Sequence, residues 1–233
     1  VSWFRRDAPP PDLSVTVVAW NREQELAGLI ENVAGFAREI VVVDGGSADG
    51  TEALCREHPL VRYVQRPWDG HFAKMKNASF AHARGEWILH LDTDERVSPG
   101  LAAGLPALCA GRAAFLRLPM LWLVDDEHYL KTEKHYPCHV PRLFRNVEEH
   151  RYQEHVGPVH PRFPKAIRRQ MKKVREQERH LLHYALAWAS RDELRAKAQD
   201  YARREPGSED TNRAYYLWWE QEHEFVALPE DPR

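Results

Sequence analysis

The chain is short of cysteine, of net charge and of long apolar runs, and each shortage removes a class of protein. Cys55, Cys109 and Cys138 are three in 233 residues, widely spaced and without a CxxC pair. An odd, scattered set is no disulfide framework, so a reducing, cytoplasmic setting is expected. No stretch approaches the roughly 18 apolar residues of a spanning helix. The opening "VSWFRRDAPPPDLS" lacks the apolar core of a signal peptide, and Pro9 to Pro11 make it an extended lead-in. Regular structure is expected from about Leu13. The formal net charge is −2, from 33 Lys and Arg against 35 Asp and Glu, which argues against a nucleic-acid coat. No GxGxxG, GK[ST] or HExxH occurs, so nicotinamide, P-loop and zincin chemistry lack support. There is no internal repeat.

What remains is a chain 43% hydrophobic and long enough to bury a substantial core. "VTVV" (15–18) is followed by Leu26, Leu29, Ile30, Val33 and Phe36 at helical spacing, with Asn21 and Gln24 placed as a capping box. "EIVVVDGG" (39–46) reads as a buried parallel strand, "SADGTEALCREH" as a helix and "VRYV" (61–64) as a third strand. Residues 73–84 read as a helix capped by Gly85, and "WILHL" (87–91) as a fourth strand. A helix over Pro99–Leu108 and a strand in "AAFLRLPMLWL" follow. Strands alternating with helices predict an α/β fold, Rossmann-like, its sheet mostly parallel and covered on both faces. The expected catalytic domain is 13–163. Residues 164–233 are expected to form a helical extension: a long amphipathic helix through Ile167, Met171, Val174, Leu181, Leu182 and Leu186, a second to about Arg204, and an aromatic helix in "TNRAYYLWWEQEHEF".

This order places Asp44, Asp92 and Asp94 at the C-terminal ends of parallel strands, where open α/β sheets collect ligands. In "ILHLDTDE" (88–95) an apolar strand runs into two carboxylates that would repel without a cation. Either this is a solvated strand end, or Asp92 and Asp94 hold one divalent ion that screens a diphosphate. A phosphatase nucleophile loop fits poorly, because Arg96 stands where Thr or Val is wanted. Gly45 and Gly46 would let backbone approach a flat ring or ribose beside Asp44.

Four stretches carry a resemblance: "SVTVVAWNREQELAGLIENV", "EIVVVDGGSADGT", "RPWDGHFAKMKNASFAHARGEWILHLDTDERVSP" and, more loosely, "HYPCHVPRLFRN". In order and spacing this half resembles a family 2 glycosyltransferase of the GT-A fold, in the branch of lipopolysaccharide-core glucosyltransferases and bacteriocin S-glycosyltransferases. The resemblance implies an inverting transfer of a hexose from a nucleotide sugar, most simply UDP-linked, to a hydroxyl or thiol on a saccharide, lipid-linked or peptide acceptor. It implies Mg²⁺ or Mn²⁺ on Asp94, helped by Asp92. It assigns Ala19, Asn21 and Glu23 to the first nucleotide-side loop, Asp44 to the base, and Lys76 and Asn77 to the nucleotide and its phosphates. Trp68 belongs to the loop beside the sugar, and Arg142 and Arg145 to a basic strand near the cleft.

One departure concerns the base. The branch has a "VHE" element after "RLFR", and here Val159 and His160 are followed by Pro161. Glu154 and His160 are the leading candidates for the proton acceptor that an inverting transfer needs, ahead of His155, Asp125 and Asp126. The same departure leaves a rival, a non-catalytic nucleotide-sugar-binding or assembly protein. Residues 162–175 hold seven Lys and Arg and no Asp or Glu, a pattern suited to an anionic membrane or acceptor, peripheral on the inner face of the cell membrane. The "YYLWW" run (215–219) should pack on the domain or across a homodimer.

Overall fold

The structure, a computed structural model, describes residues 11–175 and 179–228. Three βα units open the chain: β1 (Leu13–Ala19), α1 (Glu23–Val33), β2 (Glu39–Asp44), α2 (Thr51–Glu57), β3 (Val61–Gln65) and α3 (Phe72–His82). Then come β4 (Trp87–Asp92), β5 (Glu95–Val97), α4 (Pro99–Cys109), β6 (Phe115–Trp122), β7 (His128–Lys131) and β8 (Cys138–Arg145). After a long connection follow α5 (Lys165–Gln170), β9 (Lys172–Lys173), β10 (Leu181–His183), α6 (Ala185–Trp188), α7 (Arg191–Arg204), α8 (Glu209–Tyr216), a 3₁₀ turn (Trp218–Glu220) and β11 (Glu224–Ala227).

The main sheet has the order β3-β2-β1-β4-β8-β6-β10-β5, with β9 also on β6. Its first four strands are parallel, as the unbroken apolar runs predict, since strands covered on both faces have no polar side to show. β8 then runs antiparallel between β4 and β6, and β10 lies parallel to β6. The sheet is therefore mixed. Because β6 and β10 point the same way as β4, all their C-terminal ends meet at one edge. β11 pairs with β7 as a separate ribbon.

The long amphipathic helix expected from Lys165 is not formed. α5 stops at Gln170, and the apolar residues after it go to different places. Ile167 and Met171 join Phe115, Phe144 and Phe163, whereas Val174 and Leu181 enter the main core. The free edge of β6 offers backbone groups that need partners, and β9 and β10 supply them. Helical spacing yields to that demand. Helix resumes at α7, where Ser190 and Glu193 form a capping box. The "YYLWW" run packs within the chain: Tyr215 stacks on Trp122 with ring centroids 5.4 Å apart, and Arg191 lies over Trp218 and Trp219. No helix among the described residues is long and apolar enough to cross a membrane.

Two expected caps also differ. Asn21 sits at φ 52° and its Oδ1 accepts from the Ala48 amide at 2.7 Å, so it ties two loops together, and α1 begins without a side-chain cap. Gly85 does not end α3, which closes at His82 with Ala83 extended. Glycine is needed there because a Cβ would lie 2.6 Å from the Ser14 amide nitrogen and 3.0 Å from the Asp12 carbonyl. Gly85→Ala is accordingly expected to cost about 1–3 kcal/mol through overpacking, read as a lower urea midpoint. An unchanged midpoint would show that the two backbones do not meet this closely.

Candidate active site at the strand ends

Parallel register brings the functional residues together. Ala19 pairs with Asp44 across β1 and β2, and Val18 with Asp92 across β1 and β4. On the other side of the sheet, His183 pairs with both Trp122 and Glu95. These ends open onto a cavity of about 650 Å³, roofed by Lys197, Tyr201 and Arg204 of α7 and Tyr216 of α8.

Asp92 is the hub. Lys76 Nζ donates to its Oδ1 at 2.8 Å, and Arg142 Nη2 to its Oδ2 at 2.5 Å. Arg142 also donates to Glu95 Oε1, and Glu95 Oε2 accepts from the Asp92 amide at 3.1 Å. Burial alone would raise the Asp92 carboxyl, but the charges of Arg142 and Lys76 outweigh it and hold the group well below the usual carboxylate range. Burial raises the Glu95 carboxyl, partly offset by Arg142. His90, fully buried behind them, is pushed down by burial and by Lys76 and stays neutral.

Asp94 has different company. Its Oδ1 lies 3.4 Å from His183 Nε2, and its own carbonyl accepts from the Tyr184 amide. Burial would raise its carboxyl too, yet the His183 charge and hydrogen bond, with Lys197 farther off, hold it below the usual range. Both oxygens of Asp92 are thus committed to cations, while Asp94 has one neighbour and faces the cavity. A carboxylate open to a cavity suits Mg²⁺ or Mn²⁺ completed by phosphate oxygens and water. The expected pair is unequally placed: Asp92 is held by Lys76 and Arg142, whereas Asp94, with His183 beside it, is the carboxylate that could take such an ion. Among the described residues, no group of three or more His, Cys, Asp or Glu side chains is arranged to hold a metal.

The other expected residues divide. Ala19, Gly45, Trp68, Lys76, Arg142 and His160 line the cavity. Asp44 is fully buried and accepts from the Gly46 and Ser47 amides, from Ser47 Oγ at 2.6 Å and from Tyr63 Oη at 2.7 Å. It shapes the loop whose Gly45 reaches the cavity. Asn21 and Glu23 tie β1's loop to that same segment, Glu23 Oε2 accepting from the Gly50 amide at 3.1 Å. Asn77 is not with Lys76, because adjacent helical residues point in different directions. Its amide binds Glu154 Oε1 at 2.9 Å and the Tyr152 backbone, in a separate groove. Glu154 therefore lines a different surface from Asp94. Arg145, three residues along a strand from Arg142, falls on the other face and pairs with Glu86. Asp125 and Asp126 are exposed in the β6–β7 turn, away from the cavity.

Sequence reasoning missed Glu95, His183 and the α7 residues. Glu95 directly follows the DxD pair, and its isolation from water gave no signal. His183 ends "LLH", a strand-end pattern hidden by the helical reading of its surroundings. Removing the shared cation tests the cluster. Arg142→Ala leaves Glu95 and Asp92 facing each other and is expected to cost about 3–5 kcal/mol in urea unfolding, with Arg142→Lys intermediate. A loss below about 0.5 kcal/mol, within the range of a surface substitution, would mean that the arginine is not their counter-ion.

Comparison with known proteins follows the same lines. The chain is 36% identical over 106 residues to "Lipopolysaccharide core biosynthesis glycosyltransferase LpsC" of Rhizobium meliloti (strain 1021), covering 44% of this chain and 38% of that one. It is 36% identical over 94 residues to "Succinoglycan biosynthesis protein ExoO" of the same organism, covering 38% and 27%. The chain thus spans well under half the length of these curated relatives. Among solved structures it resembles the mannosyltransferase PcManGT from Pyrobaculum calidifontis in complex with GDP-Man and Mn²⁺, with TM-score 0.57 at 17% identity over 85% of this chain and 65% of that one. It also resembles S. aureus TarS 1-349 in complex with UDP-GlcNAc, with TM-score 0.54 at 16% identity over 88% and 71%. These likenesses show the fold. Residues 14–171, more than half of the chain, match the model of glycosyl transferase family 2, and the chain belongs to that family.

Proposed function

We propose that this protein transfers a hexose from a nucleotide sugar, UDP-linked, to a hydroxyl or thiol acceptor with inversion at the anomeric carbon, in the synthesis of a cell-envelope glycan or glycoconjugate. One observation carries the reading: at the strand ends, Asp92 is neutralised by Lys76 and Arg142 while Asp94 beside it remains open to a ligand-sized cavity. The names of the relatives, which concern lipopolysaccharide core and succinoglycan, support an envelope acceptor of saccharide or lipid-linked type.

In this reading Ala19, Trp20 and Gly45 form the nucleotide side of the cavity, shaped from behind by Asn21, Glu23 and Asp44. Lys76 keeps two N–H donors beyond the one given to Asp92, and these reach phosphate oxygens without leaving their anchor. Asp94 and His183 would hold Mg²⁺ or Mn²⁺, which when bound supplies positive charge to the leaving diphosphate. Fixed cations already in place need no reorganisation as negative charge grows on the leaving group. The base falls to His160 rather than Glu154, since only His160 lines this cavity.

Asp94→Ala is expected to lower Mn²⁺-dependent turnover of the preferred nucleotide sugar by at least about 100-fold, with thermal unfolding near that of the parent. A parent protein that binds UDP by calorimetry yet turns over no nucleotide sugar would replace the transferase by its rival, a nucleotide-sugar-binding protein.

Contact with an anionic surface belongs to the same reading. Arg162, Lys165, Arg168, Arg169, Lys172, Lys173 and Arg175 are all exposed, while Ile167 and Val174 turn inward. Sedimentation with phosphatidylglycerol vesicles is expected at low salt and should be lost in a Lys172→Glu, Lys173→Glu double variant. Equal retention by neutral vesicles would remove the electrostatic account.

A further inference from the structure

His160 reaches the cavity from a turn that is held on several sides. Gly157 adopts φ +62°, and a Cβ on it would lie 2.5 Å from the His160 carbonyl. The Pro158 carbonyl accepts from the Phe72 amide at 3.0 Å, which pins the turn to the start of α3. On the other side stands Glu205, the C-cap residue just beyond α7. Its Oε2 accepts from the His160 amide at 2.9 Å and lies 3.1 Å from His160 Nδ1. Arg162 lies 3.7 Å from its other oxygen. Arg204, the neighbour of Glu205, donates to the Gly70 carbonyl at 2.9 Å and covers Trp68 and Phe72, so the end of α7 is tied to the 68–72 loop.

We infer that Glu205 and His160 form a dyad in which the Glu205 carboxylate fixes the proton on Nδ1 and so makes Nε2 the proton acceptor for an acceptor hydroxyl. The inference deepens the transferase reading and rests on it. A carboxylate can only accept, so Nδ1 donates, and the neutral ring then carries its lone pair on Nε2, for which no partner is seen among the described residues. During transfer the hydroxyl oxygen bonds to the anomeric carbon as the bond from that carbon to the phosphate oxygen breaks. The bonding pair leaves with the diphosphate, and the hydroxyl proton passes to Nε2. The resulting imidazolium is stabilised by Glu205 until the proton is lost to water. A thiol ionises closer to neutrality and needs this device less than a hydroxyl does. Glu205 acts through His160 and is a positioning residue. It lies beyond the family match, which ends at residue 171.

The test combines two readouts on the parent, Glu205→Gln and His160→Gln. Turnover is followed as Mn²⁺-dependent hydrolysis of UDP-glucose, UDP-N-acetylglucosamine and GDP-mannose, with water in place of the acceptor. The tautomer of His160 is read from ¹⁵N–¹H correlation spectra of the parent and of Glu205→Gln. The parent should show the Nδ1–H form and Glu205→Gln a mixture. Glu205→Gln should lose about 10- to 100-fold in kcat with donor KM changed less than twofold, and His160→Gln at least as much. An Nε2–H ring in an active parent, or an unchanged kcat in Glu205→Gln with donor binding intact, overturns the dyad and leaves the transferase standing. A parent inert toward all three donors, whatever its tautomer, overturns both. If Glu205→Gln fails to fold, the parent's spectrum together with His160→Gln still decides.

Discussion

Two cations on one carboxylate are the constraint on which the rest of the site depends. Three acidic side chains within four residues, Asp92, Asp94 and Glu95, would repel one another in a partly buried setting. Lys76 and Arg142 remove that repulsion from Asp92 and Glu95, and the geometry leaves Asp94 with the His183 imidazole beside it and the cavity in front. Under the proposed function the cluster is preset for a partner that brings a cation and an anion together. A nucleotide diphosphate with a divalent ion has that composition.

The fold delivers these charges from five elements. α3 brings Lys76, β4 brings Asp92, β5 brings Glu95, β8 brings Arg142 and β10 brings His183, with Asp94 in the turn between β4 and β5. Because β8 runs against β4 and β10 runs with β6, residues far apart in the chain meet at one edge. The two C-terminal helices then roof the space, so the segment beyond the family match completes the cavity.

Much of this was legible in the sequence. Continuous apolar runs ending in Asp44 and Asp92 gave the parallel strands and their ligand edge, because burial on both faces leaves no other pattern. The site roles were legible only up to the point where a side chain's direction matters. Lys76 and Asn77 are adjacent, yet one enters the cavity and the other a separate groove. Arg142 and Arg145 part in the same way on a strand. Residues 165–186 were misread because their apolar spacing suits a helix, whereas the unpaired edge of β6 called them into strands. Such a demand is nonlocal and leaves no local trace. His183 and Glu205 were lost for the same reason, since each acquires meaning only from a partner tens of residues away.

The division of labour between the neighbouring aspartates can be read most directly by locating Mn²⁺ through its anomalous scattering in crystals grown with UDP. The account predicts the ion on Asp94 and His183, bridged to phosphate oxygens, with Asp92 still held between Lys76 and Arg142. Manganese bound through Asp92, with either cation displaced from it, would contradict the account at its centre.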